Sequence, residues 1–255
     1  MSVTMNEKVA LITGAGQGIG EGIAYSLAKR GVRVIAVGRT LSKCEQTCAN
    51  ITKRFAIDSR ALQCDISDLD TLDALVENAN AAFGRIDILV NNAVSTAIAP
   101  LLKVSLDAFQ KSLRVGPVAT LRLMQLVQPL MLRQSEGHII NLATTAAMRW
   151  DNSRYGAYAA EKEAIRALSR AAACEWGPQG IRTNVILPHA KSPALAAWAE
   201  ARPDEASAFE ATIPLGRIGE CEGDIGEFVA LLCSPESRYI NGQSIALDGG
   251  QANLG

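Results

Sequence analysis

The chain has 255 residues, 48% of them hydrophobic and 20% charged, with a formal net charge of −1. That length supports one α/β domain with a large core, and the near-zero charge offers no bulk attraction to nucleic acid or to an anionic membrane. Charge interrupts every apolar run well short of a membrane span, and the opening Met1-Ser2-Val3-Thr4-Met5-Asn6-Glu7-Lys8 has no basic segment followed by an apolar one, so a cytoplasmic location is expected.

Short β-rich runs alternate with longer amphipathic segments. Val9–Thr13 reads as a strand, and Gly18–Arg30 as a helix with Ile19, Ile23 and Leu27 on one face. Strand Val32–Val37, helix Ser42–Lys53, strand Ala61–Cys64 and helix Leu69–Phe83 follow. Ile86–Val90 is apolar except for Asp87, the pattern of a strand buried between two helical layers. Leu106–Leu132 reads as one long helix, Gly137–Leu142 as a strand, Ser153–Glu175 as a helix and Arg182–Leu187 as a strand. Helix Glu222–Leu232 and strand Ser244–Leu247 complete the series. This alternation predicts a Rossmann-type, doubly wound parallel sheet with helices on both faces, in a single domain spanning 1–255. The Ala-rich segment 192–212 interrupts the rhythm where the carboxyl ends of the strands gather, and reads as a helical substrate lid.

The six cysteines form no C-x-x-C pair, and two histidines alone cannot supply a zinc site. No metal is expected, and the cysteines read as small hydrophobes in a reducing compartment.

Thr13-Gly14-Ala15-Gly16-Gln17-Gly18-Ile19-Gly20 lies between the first strand and the first helix. Glycines there allow positive φ and close approach of a pyrophosphate, which the free amides of a helix N-terminus then bind. An acid at the end of the second strand would bind a ribose 2′-hydroxyl, whereas an arginine accommodates a 2′-phosphate. This chain has Val37-Gly38-Arg39-Thr40, so NADP(H) is favoured over NAD(H). Asp65, ending the third strand, is placed to accept a hydrogen bond from the adenine amine, and Asn91-Asn92-Ala93 ends the fourth beside the same crevice.

Tyr158 and Lys162 stand at i and i+4, on one helical face. A nearby ammonium is expected to lower the phenol pKa from its reference near ~10, fitting the tyrosine to exchange a proton with an alkoxide. Tyr155 has Ala159, not lysine, four residues on.

Taken together, Thr13–Gly20, Asn91–Ala93 and Tyr158–Lys162 resemble, in order and spacing, the short-chain dehydrogenase/reductase family. Ile240-Asn241-Gly242-Gln243 and Leu247-Asp248-Gly249-Gly250 fit it too. The resemblance implies a hydride transfer between a nicotinamide cofactor and a small carbonyl or alcohol substrate, with no nucleic-acid or membrane partner. It implies cofactor contacts at Gly14, Gly16, Gln17, Gly18, Ile19, Gly20, Arg39, Asp65, Ile66, Asn91, Ala93, Tyr158, Lys162, Pro188 and Ser192. It also implies a homotetramer, for which Leu121, Met124, Val127, Ala164, Ala167 and Ala171 are the candidate packing residues.

The chain departs from the family pattern in several places. The family's serine after strand five becomes Thr144, or Thr145 if the register shifts by one; threonine keeps the hydroxyl but adds a methyl. The family's asparagine in the preceding helix becomes Gly116, followed by Pro117, which should free the Leu113 carbonyl and kink the helix. That carbonyl is a candidate holder of the water through which the lysine exchanges protons. Val94 and His189 replace glycines. Thr145, His189, Trp150 and Trp198, with Met148 and Leu195, are the candidate substrate contacts in a largely apolar pocket. A non-redox lyase, epimerase or dehydratase using Tyr158 is the alternative chemistry, and a nucleotide-binding protein without turnover is the other.

Overall fold

The structure, a computed structural model, describes residues 5–94, 98–148, 152 and 154–252. Seven parallel strands form one sheet in the order β3-β2-β1-β4-β5-β6-β7: β1 Val9–Thr13, β2 Arg33–Gly38, β3 Ser59–Gln63, β4 Ile88–Asn91, β5 Gly137–Leu142, β6 Ile181–Pro188 and β7 Ser244–Leu247. Successive side chains of β1 point to opposite faces. Ala10 and Ile12 join a core packed by α1 (Gly18–Lys29), α2 (Leu41–Phe55) and α9 (Glu227–Leu232). Val9 and Leu11 join one packed by α3 (Leu72–Phe83), α5 (Ala119–Gln134) and α6 (Gly156–Trp176). Both faces are therefore dry, which is why β1 and β4 carry almost uninterrupted apolar runs. This is the Rossmann-type doubly wound sheet. Its strand order reverses at β1–β4, so the crevice outside the carboxyl ends of those strands is where a ligand fits.

The elements differ from the sequence reading where a side chain or an edge intervenes. The long helix at Leu106–Leu132 is in three pieces: α4 (Leu106–Leu113), a π turn at Arg114–Val118, and α5. Pro117 is the cause, because it has no N–H to give the α-helical ladder, and the chain widens around it. The helix expected from Glu222 likewise begins as a π turn, Cys221–Gly226, before α9. Strand β3 starts two residues earlier than expected because pairing with β2 draws polar Ser59 and Arg60 into the ladder. Helix α6 begins at Gly156, behind Tyr155, and Ser153 lies outside the described residues. Segment 192–212 folds as two short helices, α7 (Pro193–Ala201) and α8 (Pro203–Glu210).

The tightest helix contact is between α1 and the second π turn. A Cβ at Gly22 would lie 2.3 Å from the carbonyl oxygen of Cys221. Met124 and Val127 are fully buried in the core, so they cannot serve a subunit interface, whereas Leu121 and Ala164 are half-buried and Ala167 and Ala171 are exposed. No helix among the described residues is long and apolar enough to cross a membrane. No metal-ligating cluster occurs among them, and the six cysteines are free.

Candidate active site

The carboxyl ends of β1, β4, β5 and β6 deliver Gly14, Asn92, Thr144 and Pro188 to one crevice. Gly14 and Gly18 adopt φ of +68° and +61°, a left-handed backbone that admits glycine most readily. Beneath the turn, the buried Thr13 hydroxyl accepts the Asn92 and Ala93 amides at 3.0 and 3.1 Å. The Asn92 amide donates to the carbonyls of Thr13 and Gly14. These bonds lock the turn against the end of β4, and Gln17, in extended conformation, caps α1 without bonding its amides through a side chain. The first amides of α1 are thus left to an anion. A glycine-lined turn, free helix amides and an arginine at the end of β2 fit a dinucleotide.

Around this turn, Ile19 packs on the core and Ile66 is buried behind the crevice. Arg39 is exposed. Asp65 is also exposed, and its carboxyl is held below its ordinary value, chiefly by the Ser67 amide and in smaller part by the Arg39 charge. Lys43 donates to Gln17 Oε1 at 2.5 Å, bridging α2 to the turn. Asn91 behaves otherwise than expected: its side chain is buried and donates to Asn141 Oδ1 at 2.8 Å, tying β4 to β5 instead of entering the crevice. Ser192 caps α7, accepting from the Leu195 amide. A Cβ at Gly18 would lie 3.1 Å from Pro193 Cδ, so the base of segment 192–212 rests on the glycine turn.

Across the crevice, Thr144 stands two residues past β5 and caps a short 3-10 turn, its hydroxyl accepting from the Ala146 amide at 3.2 Å. The same hydroxyl faces the Tyr158 phenol and draws its pKa down. Thr145 is turned inward and only 4% exposed. Lys162 is buried, donates to the Leu142 carbonyl at 3.1 Å, and places Nζ 5.5 Å from the centre of the Tyr158 ring. The Tyr155 ring packs against Tyr158 at 5.9 Å. The expected lowering of the Tyr158 pKa is not what this environment produces. Burial pushes the phenol up, the neighbouring Glu161 carboxyl pushes it further, and only the Thr144 hydroxyl pulls it down. The chief reason is the burial of the phenol itself, which disfavours the phenolate; burial also lowers the pKa of Lys162.

A family model described as enoyl-(acyl carrier protein) reductase matches residues 14–252. The chain is 36% identical to a 12alpha-hydroxysteroid dehydrogenase of a Clostridium species over 95% of its own length and 96% of the relative's. It is 34% identical to the D-threitol dehydrogenase of Mycolicibacterium smegmatis, covering 96% and 93%. The Pseudomonas aeruginosa RhlG/NADP active-site complex superposes with a TM-score of 0.90 at 28% identity, covering 97% of each chain. This chain is a short-chain dehydrogenase/reductase. As a member of that family it is an NAD(P)-dependent oxidoreductase.

Beside the crevice of this short-chain dehydrogenase/reductase, His189 meets Phe209 edge-on at 5.2 Å, and Phe209 meets Trp198 at 5.9 Å. The candidate substrate residues His189 and Trp198 are thus joined through α8; Trp150 lies outside the described residues. Three residues to which the sequence reading gave no role of their own pack around these groups. Asn92 holds the glycine turn, Asn141 joins Asn91 to Ser169, and Glu161 sits fully buried beside Lys162. The signal for Asn92 was its place in Asn91-Asn92-Ala93. For Glu161 it was an acid immediately before the lysine, on a face that must pack inward.

Gly116 contributes no side chain, yet its surroundings are crowded. A Cβ there would lie 2.4 Å from Glu161 Cγ. The carboxyl fills the room that the glycine leaves.

Proposed function

We propose that this protein transfers a hydride between NADP(H) and a ketone or secondary alcohol, with Tyr158 exchanging the proton at the reacting oxygen. The observation that carries this reading is the convergence of the Thr144 hydroxyl and the Tyr158 phenol at the carboxyl end of β5, with Lys162 one helical turn beyond the phenol. The nicotinamide, when bound, donates or accepts the hydride. Tyr158 then gives its phenolic proton to the oxygen on reduction, or takes one on oxidation. Thr144 orients that oxygen and stabilises the charge growing on it. Gly14, Gly16, Gln17, Gly18, Ile19 and Gly20 would hold the pyrophosphate, Arg39 the 2′-phosphate, and Asp65 and Ile66 the adenine. Ala93, Pro188 and Ser192 would border the nicotinamide half, with Lys162 at its ribose.

Relatives named for oxidising a hydroxysteroid and a tetritol support an alcohol or ketone as substrate. The edge-on cluster of His189, Phe209 and Trp198 supports segment 192–212 as an apolar cover over it. The exposed alanines of α6 support close packing of a second copy across a two-fold axis, as in a homotetramer.

The test is the change in NADPH absorbance with purified protein across a panel of ketones, and of NADP+ across the matching alcohols. Turnover lost in Tyr158→Phe supports the reading. Nucleotide binding with no turnover on any panel member would overturn it.

A further inference from the structure

We propose that Glu161 is a positioning residue for Lys162: seated in the room left by Gly116 and anchored by Ser112, it is the buried counter-charge that keeps the Lys162 ammonium charged and in place. The inference rests on the assignment of Lys162 to the active site. Three observations of the geometry carry it. Glu161 is fully buried and Lys162 is 3% exposed, so neither charge has water to solvate it. A buried charge persists only when paired. Glu161 Oε1 lies 3.5 Å from Lys162 Nζ and has no hydrogen-bond partner of its own, while the other carboxyl oxygen accepts the Ser112 hydroxyl. One oxygen is therefore fixed by α4, and the other is reserved for the lysine.

Gly116 is the third part of the device. A Cβ there would come within 2.4 Å of Glu161 Cγ and 2.5 Å of Oε1, so any side chain at 116 must displace the carboxyl. A glycine in the π turn is what allows a glutamate on α6 to reach the lysine at all. Burial raises the pKa of this carboxyl, and Lys162 and the Ser112 hydroxyl draw it back down. Lys162 and Tyr158 face it from its own helix, and α4 brings the Ser112 hydroxyl. Burial lowers the Lys162 pKa and Glu161 raises it again, so removing the carboxyl leaves the lysine to desolvation alone.

Glu161→Gln tests this with little risk to the fold, because the amide oxygen still accepts from Ser112. The measurement is the NMR titration of 15N-labelled lysines in the ligand-free full chain, with the Lys162 signal identified by its loss in Lys162→Arg. In Glu161→Gln the Lys162 midpoint should move to lower pH, and kcat should fall roughly tenfold. Gly116→Ala should shift the midpoint in the same direction. The double variant should go no further than Glu161→Gln alone, since the alanine then has no carboxylate to displace. An unchanged midpoint in Glu161→Gln, or effects of the two changes that simply add, would overturn the proposal. The titration needs no substrate, so a wild-type protein that turned nothing over would defeat the proposed reaction and still leave Glu161 to be judged by its effect on Lys162.

Discussion

At Gly20 an added Cβ would stand 2.4 Å from the carbonyl oxygen of Gly14; at Gly116 it would stand 2.4 Å from Cγ of Glu161. The distances match, but the obstacles differ. In the nucleotide turn the nearest obstacle is backbone, with the Asn92 side chain beside it, and that backbone is held by Thr13 and Asn92 through bonds to β4. In the lysine pocket it is a side chain that could be changed independently. The first glycine is fixed by the path of the chain, whatever occupies neighbouring positions. The second is fixed only by the residue at 161. One half of the site is built from main chain and tolerates no alternative. The other is built from interlocking side chains and can be re-specified in pairs.

The largest effect that can test this contrast falls on the side-chain half. Tyr158→Phe should reduce turnover by on the order of 10²–10⁴, the contribution of a positioned proton donor, while fluorescence titration finds NADPH affinity unchanged. Tyr155→Phe should do little. Thr144→Ala should cost on the order of 10² in kcat, as when one donor to a developing oxyanion is removed, and Thr144→Ser should keep or raise activity. If Thr145→Ala proved the more damaging of the two threonine changes, the hydroxyl partner of Tyr158 would have been misassigned.

On the main-chain half, Gly20→Ala should lower stability by about 1–3 kcal/mol through overpacking and weaken NADPH binding, with no change at position 92 able to restore it. Arg39→Asp should swing the NADPH-to-NADH preference by roughly tenfold or more, the worth of a charge-assisted hydrogen bond. Equal affinities in the wild type would remove Arg39 from that role. The smallest effect concerns pH. Because burial and Glu161 hold the Tyr158 phenol above its ordinary value, the hydroxyl is protonated at neutral pH. Ketone reduction should therefore run well there, and alcohol oxidation, which needs the deprotonated oxygen, should climb as pH rises. Oxidation rates that peaked on the acid side would contradict this.

The main-chain half was legible in the sequence because its constraints are local. Gly14 and Gly18 announce positive φ, β1 is apolar on both faces, and the two lie within a dozen residues. Tyr158 and Lys162 were legible for the same reason, one helical turn being a short distance along the chain. What could not be read was the meaning of Gly116. Its significance depends on the Glu161 carboxyl, brought to it by packing of α4 and the π turn against α6, and no periodicity spans that interval. The phenol pKa was misjudged for a related reason. The lysine's charge was visible in the sequence, but the burial of the Tyr158 phenol and the Glu161 carboxyl beside it appear only once the fold is assembled. Pro117 shows the opposite case: a residue with a fixed local consequence, whose break in the helix was foreseeable and whose π geometry was not.

The close contact between Gly22 and Cys221 bears on how this chain is made. Helix α1 leaves the ribosome nearly two hundred residues before the π turn and α9 that cover its flank. Until they arrive, α1 can lie on β1 and β2 but cannot finish its packing. The nucleotide turn at its head then rests on a half-covered helix. Synthesis therefore passes through a long interval in which apolar surface beside the future binding turn is open to chaperones or to other nascent chains, and C-terminal truncations should prolong that interval indefinitely.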